Sequence, residues 1–335
     1  MTEEVLIREN LERQCAEGRR AVEALREMLG RIIIGQDPVV DLLIRAVLAD
    51  GHVLIEGLPG LGKTLMVKTL ARGLSLDFNR IQFTPDLMPA DITGTTVIST
   101  DPSGRREYSF EPGPLFTNLL LADEINRAGP KTQSALLQAM QEREVSIFGR
   151  HYPIGDPFIV FATQNPIELA GTYPLPEAQL DRFLFKVLVP QPGEEDLARI
   201  AQATIGAPQE PGAPVLTREM LRMLRTLIRQ IPVADAVVQV AARALTRTRP
   251  DNPASPPLVR RYLRHGVSPR ALQSLLLAGK AQAFLAGRFN VALEDIRLFW
   301  YPVLRHRLLL DVGASIDGVG ADDILEESQA TLSRG

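Results

Sequence analysis

The chain has 335 residues, 45% of them hydrophobic and 23% charged, with a net charge of −3 and one cysteine. That size and balance suit a soluble protein of two domains, and the charge offers no global positive field to nucleic acid or a membrane surface. One cysteine excludes an internal disulfide framework, and four histidines outside any Cys/His cluster argue against a structural zinc site.

The acidic start, MTEEVLIREN, does not suit a signal peptide, and no apolar run reaches membrane-spanning length, so the expected location is cytoplasmic. Residues 3 to 29 carry apolar positions at helical spacing among many charges, as in one or two amphipathic helices. IIIGQDPVVDLLIRAVLAD then reads as a short strand or turn and a helix begun at QDP, with Pro38 near its first position. Short apolar runs follow at HVLIE, RIQFT, NLLLAD, PFIVFAT and FLFKVLV, separated by longer helical segments. Runs apolar on both faces predict a parallel sheet covered by helices, an α/β layer fold.

Two stretches interrupt that alternation. TPDLMPADITGTTVISTDPSGRREYSFEPGPLF, from Thr84, is rich in turn residues and predicts hairpins; EREVSIFGRHYPIGDPF, from Glu142, alternates like a strand pair around Gly149. Beyond residue 193 only helical patterns remain, divided by the Pro-rich joints APQEPGAPVL and RPDNPASPPL. The expected units are an N-terminal helical segment (1–30), an α/β core (31–192) and an all-helical domain (193–335).

GLPGLGKT, at 57–64, stands between the strand-like HVLIE and the helical KTLMVKTLARGL. Gly57, Gly60 and Gly62 let the backbone wrap around anionic oxygens with its N–H groups pointing inward, and the helix start adds its positive end. Lys63 is suited to the β- and γ-phosphates and Thr64 to Mg²⁺, while Leu58, Pro59, Leu61 and Leu65 complete the binding stretch. NLLLADE ends in two acids: Asp123 is placed to hold Mg²⁺ through water, and Glu124 to polarise a water for attack on the γ-phosphate. Asn165, at the end of another buried strand, reads either as an Asn-Pro turn or as an amide contacting the γ-phosphate or the attacking water. Arg127, in DEINRA, is a further candidate interface or sensing arginine.

GLPGLGKT, LLLADEINRAGPKTQSALLQAMQE, FATQNPIELAGTYPLPEAQLDRF and GVSPRA together resemble the MoxR family of AAA+ ATPases, over most of the chain. The resemblance implies an AAA+ P-loop core with a five-stranded parallel sheet and a helical lid. It makes Gly57 to Thr64 the Walker A loop, Asp123 and Glu124 Walker B, and Asn165 sensor 1. It makes Arg182 the arginine finger that reaches a neighbour's ATP, and Arg270 the sensor 2 arginine of the lid. Gly35 and Gln36 match a segment beside the adenine, and the two interrupting stretches match inserts facing a central pore. It further implies ATP and Mg²⁺ as cofactors, a homo-oligomeric ring (commonly a hexamer), a von Willebrand factor A domain partner and a chaperone-like action on a protein client. Arg270 follows Ser268 and Pro269 at a predicted helix start, where a cation is unfavourable unless an anion faces it. The expectation here is that Arg270 touches the γ-phosphate and closes the lid on its own ATP. A magnesium-chelatase-like subunit and a nucleic-acid motor are the competing readings; the acidic charge and the lack of an appended DNA-binding module weigh against the motor.

Overall fold

A single long helix, α1 (Glu3–Ile32), opens the computed structural model, which describes residues 3–100, 106–166, 171–205 and 212–333. It buries Val22, Leu25, Met28 and Leu29 against its neighbours, and Gly18 lies so close to Leu224 that an added Cβ would meet that side chain at 2.2 Å. A turn with Gly35 at φ +74° leads into α2 (Asp37–Leu48), with Pro38 in its first turn. IIIG forms no strand, because α1 continues to Ile32.

Next in the chain come β1 (His52–Glu56), α3 (Lys63–Gly73), β2 (Phe78–Gln82) and the short α4 (Pro89–Thr93). β3 (Gly94–Thr100) and β4 (Arg106–Pro112) pair as an antiparallel hairpin, followed by β5 (Leu119–Asp123) and α5 (Pro130–Glu142). The second expected hairpin is β6 (Glu144–Ile147) with β7 (Arg150–Pro153), turning at Phe148 (φ +48°) and Gly149 (φ +75°). β8 (Ile159–Gln164), α6 (Glu177–Leu180) and β9 (Phe183–Leu188) complete the core.

β2, β5, β8, β1 and β9 form one parallel sheet in that order. Side chains alternate between its faces: Val53, Ile55, Leu121, Phe161 and Phe185 join one buried cluster, and Leu54, Leu120, Val160 and Phe183 another. Both faces are covered, which is why the strands read as continuous apolar runs. β2 starts two residues before RIQFT, since Phe78 and Asn79 already pair with Leu119 and Leu120.

The remaining elements include α7 (Glu194–Ile205), α8 (Arg218–Gln230), α9 (Asp235–Thr246), α10 (Pro257–Tyr262) and α11 (Pro269–Leu285). Half of the first Pro-rich joint, residues 207–211, lies outside the described residues. The all-helical expectation needs one correction: β10 (Leu263–His265) and β11 (Leu309–Leu310) form a small antiparallel ladder. Strands of three and two residues are too short to leave an alternating pattern.

Helix α8 carries an arginine ladder along the N-terminal edge of the sheet. Arg218 bonds Asp77 (3.0 Å) and Asn118, Arg222 pairs with Asp156 (3.0 Å), and Arg225 and Arg229 pair with Asp50 (2.7 and 3.0 Å). These acceptors stand just before β2, β5, β8 and β1, so the ladder follows the order of the strands. From Arg218 to Arg225 the helix advances about 10 Å, roughly two strand spacings, and the long side chains span the rest. Arg225 to Asp50 is an ionic contact rather than a well-angled hydrogen bond; Arg225 Nε instead donates to Val47 O at 2.9 Å. Arg143, at the foot of the β6–β7 hairpin, also pairs with Asp50, at 2.7 Å.

Asp50 and Arg225 are both under a tenth exposed, so removing one charge strands the other. Asp50→Asn should cost about 3–5 kcal/mol, the scale for breaking a buried pair. Asp156→Asn, whose carboxylate is 60% exposed, should cost under about 1 kcal/mol. Urea unfolding midpoints check the contrast; equal shifts would contradict it.

Candidate active site

The loop 57–64 leaves the C-terminal end of β1 and runs into α3. Gly60 (φ +83°) and Gly62 (φ +75°) sit in the left-handed region, where a side chain is strained although both positions have open space. Lys63 folds back on the loop, its Nζ donating to Gly57 O (2.6 Å) and Leu58 O (2.8 Å). Burial lowers its pKa, opposed by the charges of Asp123 and Glu124.

The acid pair stands at the end of β5, across from this loop. Asp123 is buried; its Oδ2 accepts from Arg80 (2.6 and 3.1 Å) and its Oδ1 from Thr163 Oγ1 (2.5 Å). Thr163 Oγ1 in turn accepts from the Glu124 N–H at 2.8 Å, which holds Glu124 in its left-handed backbone conformation (φ +55°). Glu124 Oε2 accepts from Gln82 Nε2 (3.1 Å) and Arg127 Nη1 (2.9 Å). Sequence reasoning missed Arg80, Gln82 and Thr163. Arg80 and Gln82 are two apart on β2 and share a face, an alternation already present in RIQFT.

Two cavities meet at the loop. The first, about 450 Å³, is polar and is lined by Lys63, Thr64, Asp123, Glu124, Arg80 and Asn165. The second, about 610 Å³, is mainly apolar, lined among others by Ile33, Gln36, Leu58, Leu197 and Ile200. Pro59 to Gly62 and Leu65 belong to both, so polar and apolar halves form one elongated cleft. Beside the apolar half, Gly35 holds a left-handed backbone (φ +74°) and an added Cβ would meet the Asp196 carboxylate at 2.3 Å, so a side chain there is strained and Asp196 would have to move.

Arg182 and Arg270 are elsewhere. Arg182 precedes β9, and Arg270 is in the first turn of α11, 3.7 Å from Asp181. Ser268 caps that helix, accepting from the Arg270 N–H (3.2 Å) while its hydroxyl donates to Asp181 (2.9 Å); buried Arg307 also holds Asp181, at 2.8 Å. Arg182 donates to Leu137 O through Nη1, but its buried Nε has no partner. Burial and the nearby Arg270 charge both lower its pKa. The two arginines line a cavity of about 240 Å³ that also includes Asp50, Gly51 and His52, at the start of β1, and no residue of the phosphate loop. The five residues of β1 separate this edge from the loop by roughly 16 Å. The expectation that Arg270 touches the γ-phosphate of its own subunit is therefore corrected: it shares a cavity with Arg182 on the opposite edge of the sheet.

Residues 52–185 match the family model for ATPases associated with various cellular activities (AAA), and 257–328 match that of the AAA lid domain. Chaperone MoxR1 of Mycobacterium tuberculosis is 43% identical over 303 residues, covering 90% of this chain and 79% of the relative. Protein YeaC of Bacillus subtilis is 40% identical over 307 residues (91% and 92%), and protein MoxR of Methylorubrum extorquens 33% over 312 (88% and 89%). The chain belongs to the MoxR family of AAA+ ATPases. A crystal structure of a candidate ATPase from Cytophaga hutchinsonii superposes with a TM-score of 0.88, at 34% identity and 97% coverage of both chains.

The AAA match in this MoxR-family chain encloses the phosphate loop, the acid pair, Asn165 and Arg182, while the lid match holds Arg270. Among the described residues, no helix is long and apolar enough to cross a membrane.

Thr163 joins the two acids through one hydroxyl. Thr163→Val would leave the Asp123 carboxylate and the Glu124 N–H short of a partner, at a cost of about 1–3 kcal/mol. Thr163→Ser should stay near the wild type. Thermal or urea unfolding compares the two; equal stabilities would contradict the bridging role.

Proposed function

We propose that this MoxR-family protein binds ATP with Mg²⁺ in the elongated cleft and hydrolyses it at a site shared between neighbouring copies of the chain. The observation that carries this reading is the placement of the loop and acids on one edge of the sheet and of Arg182 and Arg270 on the other. No single subunit unites them. A head-to-tail contact between copies brings opposite edges together, and such an interface closes into a ring when its rotation permits; a hexamer is our expectation.

The chain's residues then have separable tasks. Lys63, now held by loop carbonyls, turns to the phosphates, and the N–H groups of Gly57 to Thr64 cradle them. Thr64 and Asp123 would hold Mg²⁺, which neutralises charge on the phosphate oxygens when bound. With its oxygens engaged by Arg80 and Thr163, Asp123 suits a hydrated ion. Glu124 orients the attacking water once released from Gln82 and Arg127, and Asn165 steadies that water or the γ-phosphate. From the neighbour, Arg182 and Arg270 supply the cations that offset charge developing in the transition state.

Hydrolysis in this reading drives remodelling of a protein client, as the name of the chaperone relative from M. tuberculosis suggests, together with a von Willebrand factor A domain partner. The two hairpins carry apolar side chains into solvent, with Tyr108 66% and Phe148 88% exposed, as a client-facing surface would. We place the core at 31–192 and the lid at 193–335, with α1 packed on both, and the protein in the cytoplasm.

Glu124→Gln should bind ATP normally while turnover falls at least ~10²-fold, whereas Lys63→Ala should lose nucleotide affinity. Specific activity should rise with protein concentration, and Arg182→Ala should lose about 10³-fold or more of turnover with affinity retained. A monomer hydrolysing at the full rate would overturn the shared site.

A further inference from the structure

Two cations line the polar half of the cleft, Lys63 and Arg80; the phosphate chemistry employs Lys63 and leaves Arg80 without a task of its own. The parallel register sets Gln82 opposite Asp123 and Arg80 opposite Leu121. Arg80 therefore spans about 7 Å along the strands to reach Asp123. Two of its nitrogens meet there on one atom, Nη2 (2.6 Å) and Nε (3.1 Å) both donating to Asp123 Oδ2. They use both lone pairs of Oδ2, and the Thr163 hydroxyl takes one of the two on Oδ1. A cation held by Asp123 through its bound waters finds a single acceptor place left.

The two partners of Asp123 differ in their freedom to yield. Thr163 is buried and also holds the Glu124 N–H, so it is committed on both sides. The Arg80 side chain is 47% exposed, and its Nη2 also donates to Oε1 of the exposed Gln82 at 2.8 Å. Released from Asp123, the guanidinium keeps that acceptor and meets water, so letting go strands no buried charge. Resting on the nucleotide-site reading above, we infer that Arg80 is a positioning residue of the metal site and a built-in competitor of the divalent cation. Mg²⁺ gains the Oδ2 side of Asp123 only as Arg80 yields to Gln82 and solvent. Arg80 thus keeps a largely buried carboxylate paired while weakening it as a site for a lone cation. Metal then enters together with the phosphates that supply its other ligands.

A diphosphate reports binding without turnover. Calorimetric titration of the intact protein with ADP, once in excess Mg²⁺ and once in EDTA, tests the inference. Arg80→Met keeps an apolar stem on β2 and removes the competing charge. Mg²⁺-ADP should then bind about 3- to 10-fold tighter than to the wild type, the scale of one partly exposed ion pair. ADP in EDTA should gain nothing, because no metal competes there. In an Asp123→Asn background the same substitution should lose its effect, since the competition runs through that carboxylate. Unchanged or weaker Mg²⁺-ADP binding by Arg80→Met, an equal tightening in EDTA, or a gain that persists beside Asp123→Asn overturns the inference while leaving the nucleotide site standing. Arg80→Gln repeats the comparison should Arg80→Met fail to fold. A wild type that binds ADP in neither medium would refute the nucleotide-site reading, and this inference with it.

Discussion

Every strand of the central sheet points the same way, and the arrangement of charged groups follows from that. A parallel sheet has two chemically different edges. The C-terminal ends of β1, β5 and β8 deliver the glycine loop, the acid pair and Asn165 to one edge. The start of β9 and the first turn of α11 put Arg182 and Arg270 on the other. Strand length sets the distance between them, and no side-chain rotation closes it. Lys63 and Glu124 rest on groups of their own edge meanwhile, the loop carbonyls for the lysine and Gln82 with Arg127 for the acid.

The N-terminal edge is held firmly. The arginine ladder of α8 ties the helical region to the loops before four strands, and Asp50 also takes Arg143 from the base of the second hairpin. Asp181, shared by Arg307, Arg270 and Ser268, anchors the segment that presents Arg182. The arginines therefore sit on a braced surface, as an interface group must if a neighbour's phosphates are to find it in place. The hairpin and α8 share Asp50, so a displacement of one meets the other through a buried charge.

The sheet, its helical cover and both hairpins were legible because burial on two faces and alternation around Gly149 leave strong patterns. The loop and the acid pair were legible because phosphate chemistry demands an unusual spacing of glycines and acids. Other features left weaker traces. Arg80 and Thr163 are polar residues within strands, and only the folded register shows that both reach Asp123. On α8 only the folded structure shows Arg225 buried against Asp50, with Arg218, Arg222 and Arg229 reaching their acids from more exposed positions. Arg270 was recognised as an arginine awaiting an anion, but which anion depends on sheet polarity, and no local pattern encodes that. The β10–β11 ladder was too short to register.

The account stands on the claim that one copy's acids work with the next copy's arginines. Mixing Arg182→Ala with Glu124→Gln, each inactive alone, tests it most directly. Mixed assemblies contain interfaces where an intact Glu124 faces an intact Arg182, and the account predicts that ATP hydrolysis partly returns as the two variants are combined. Mixed assemblies verified by mass measurement that stay as inactive as either parent would contradict it.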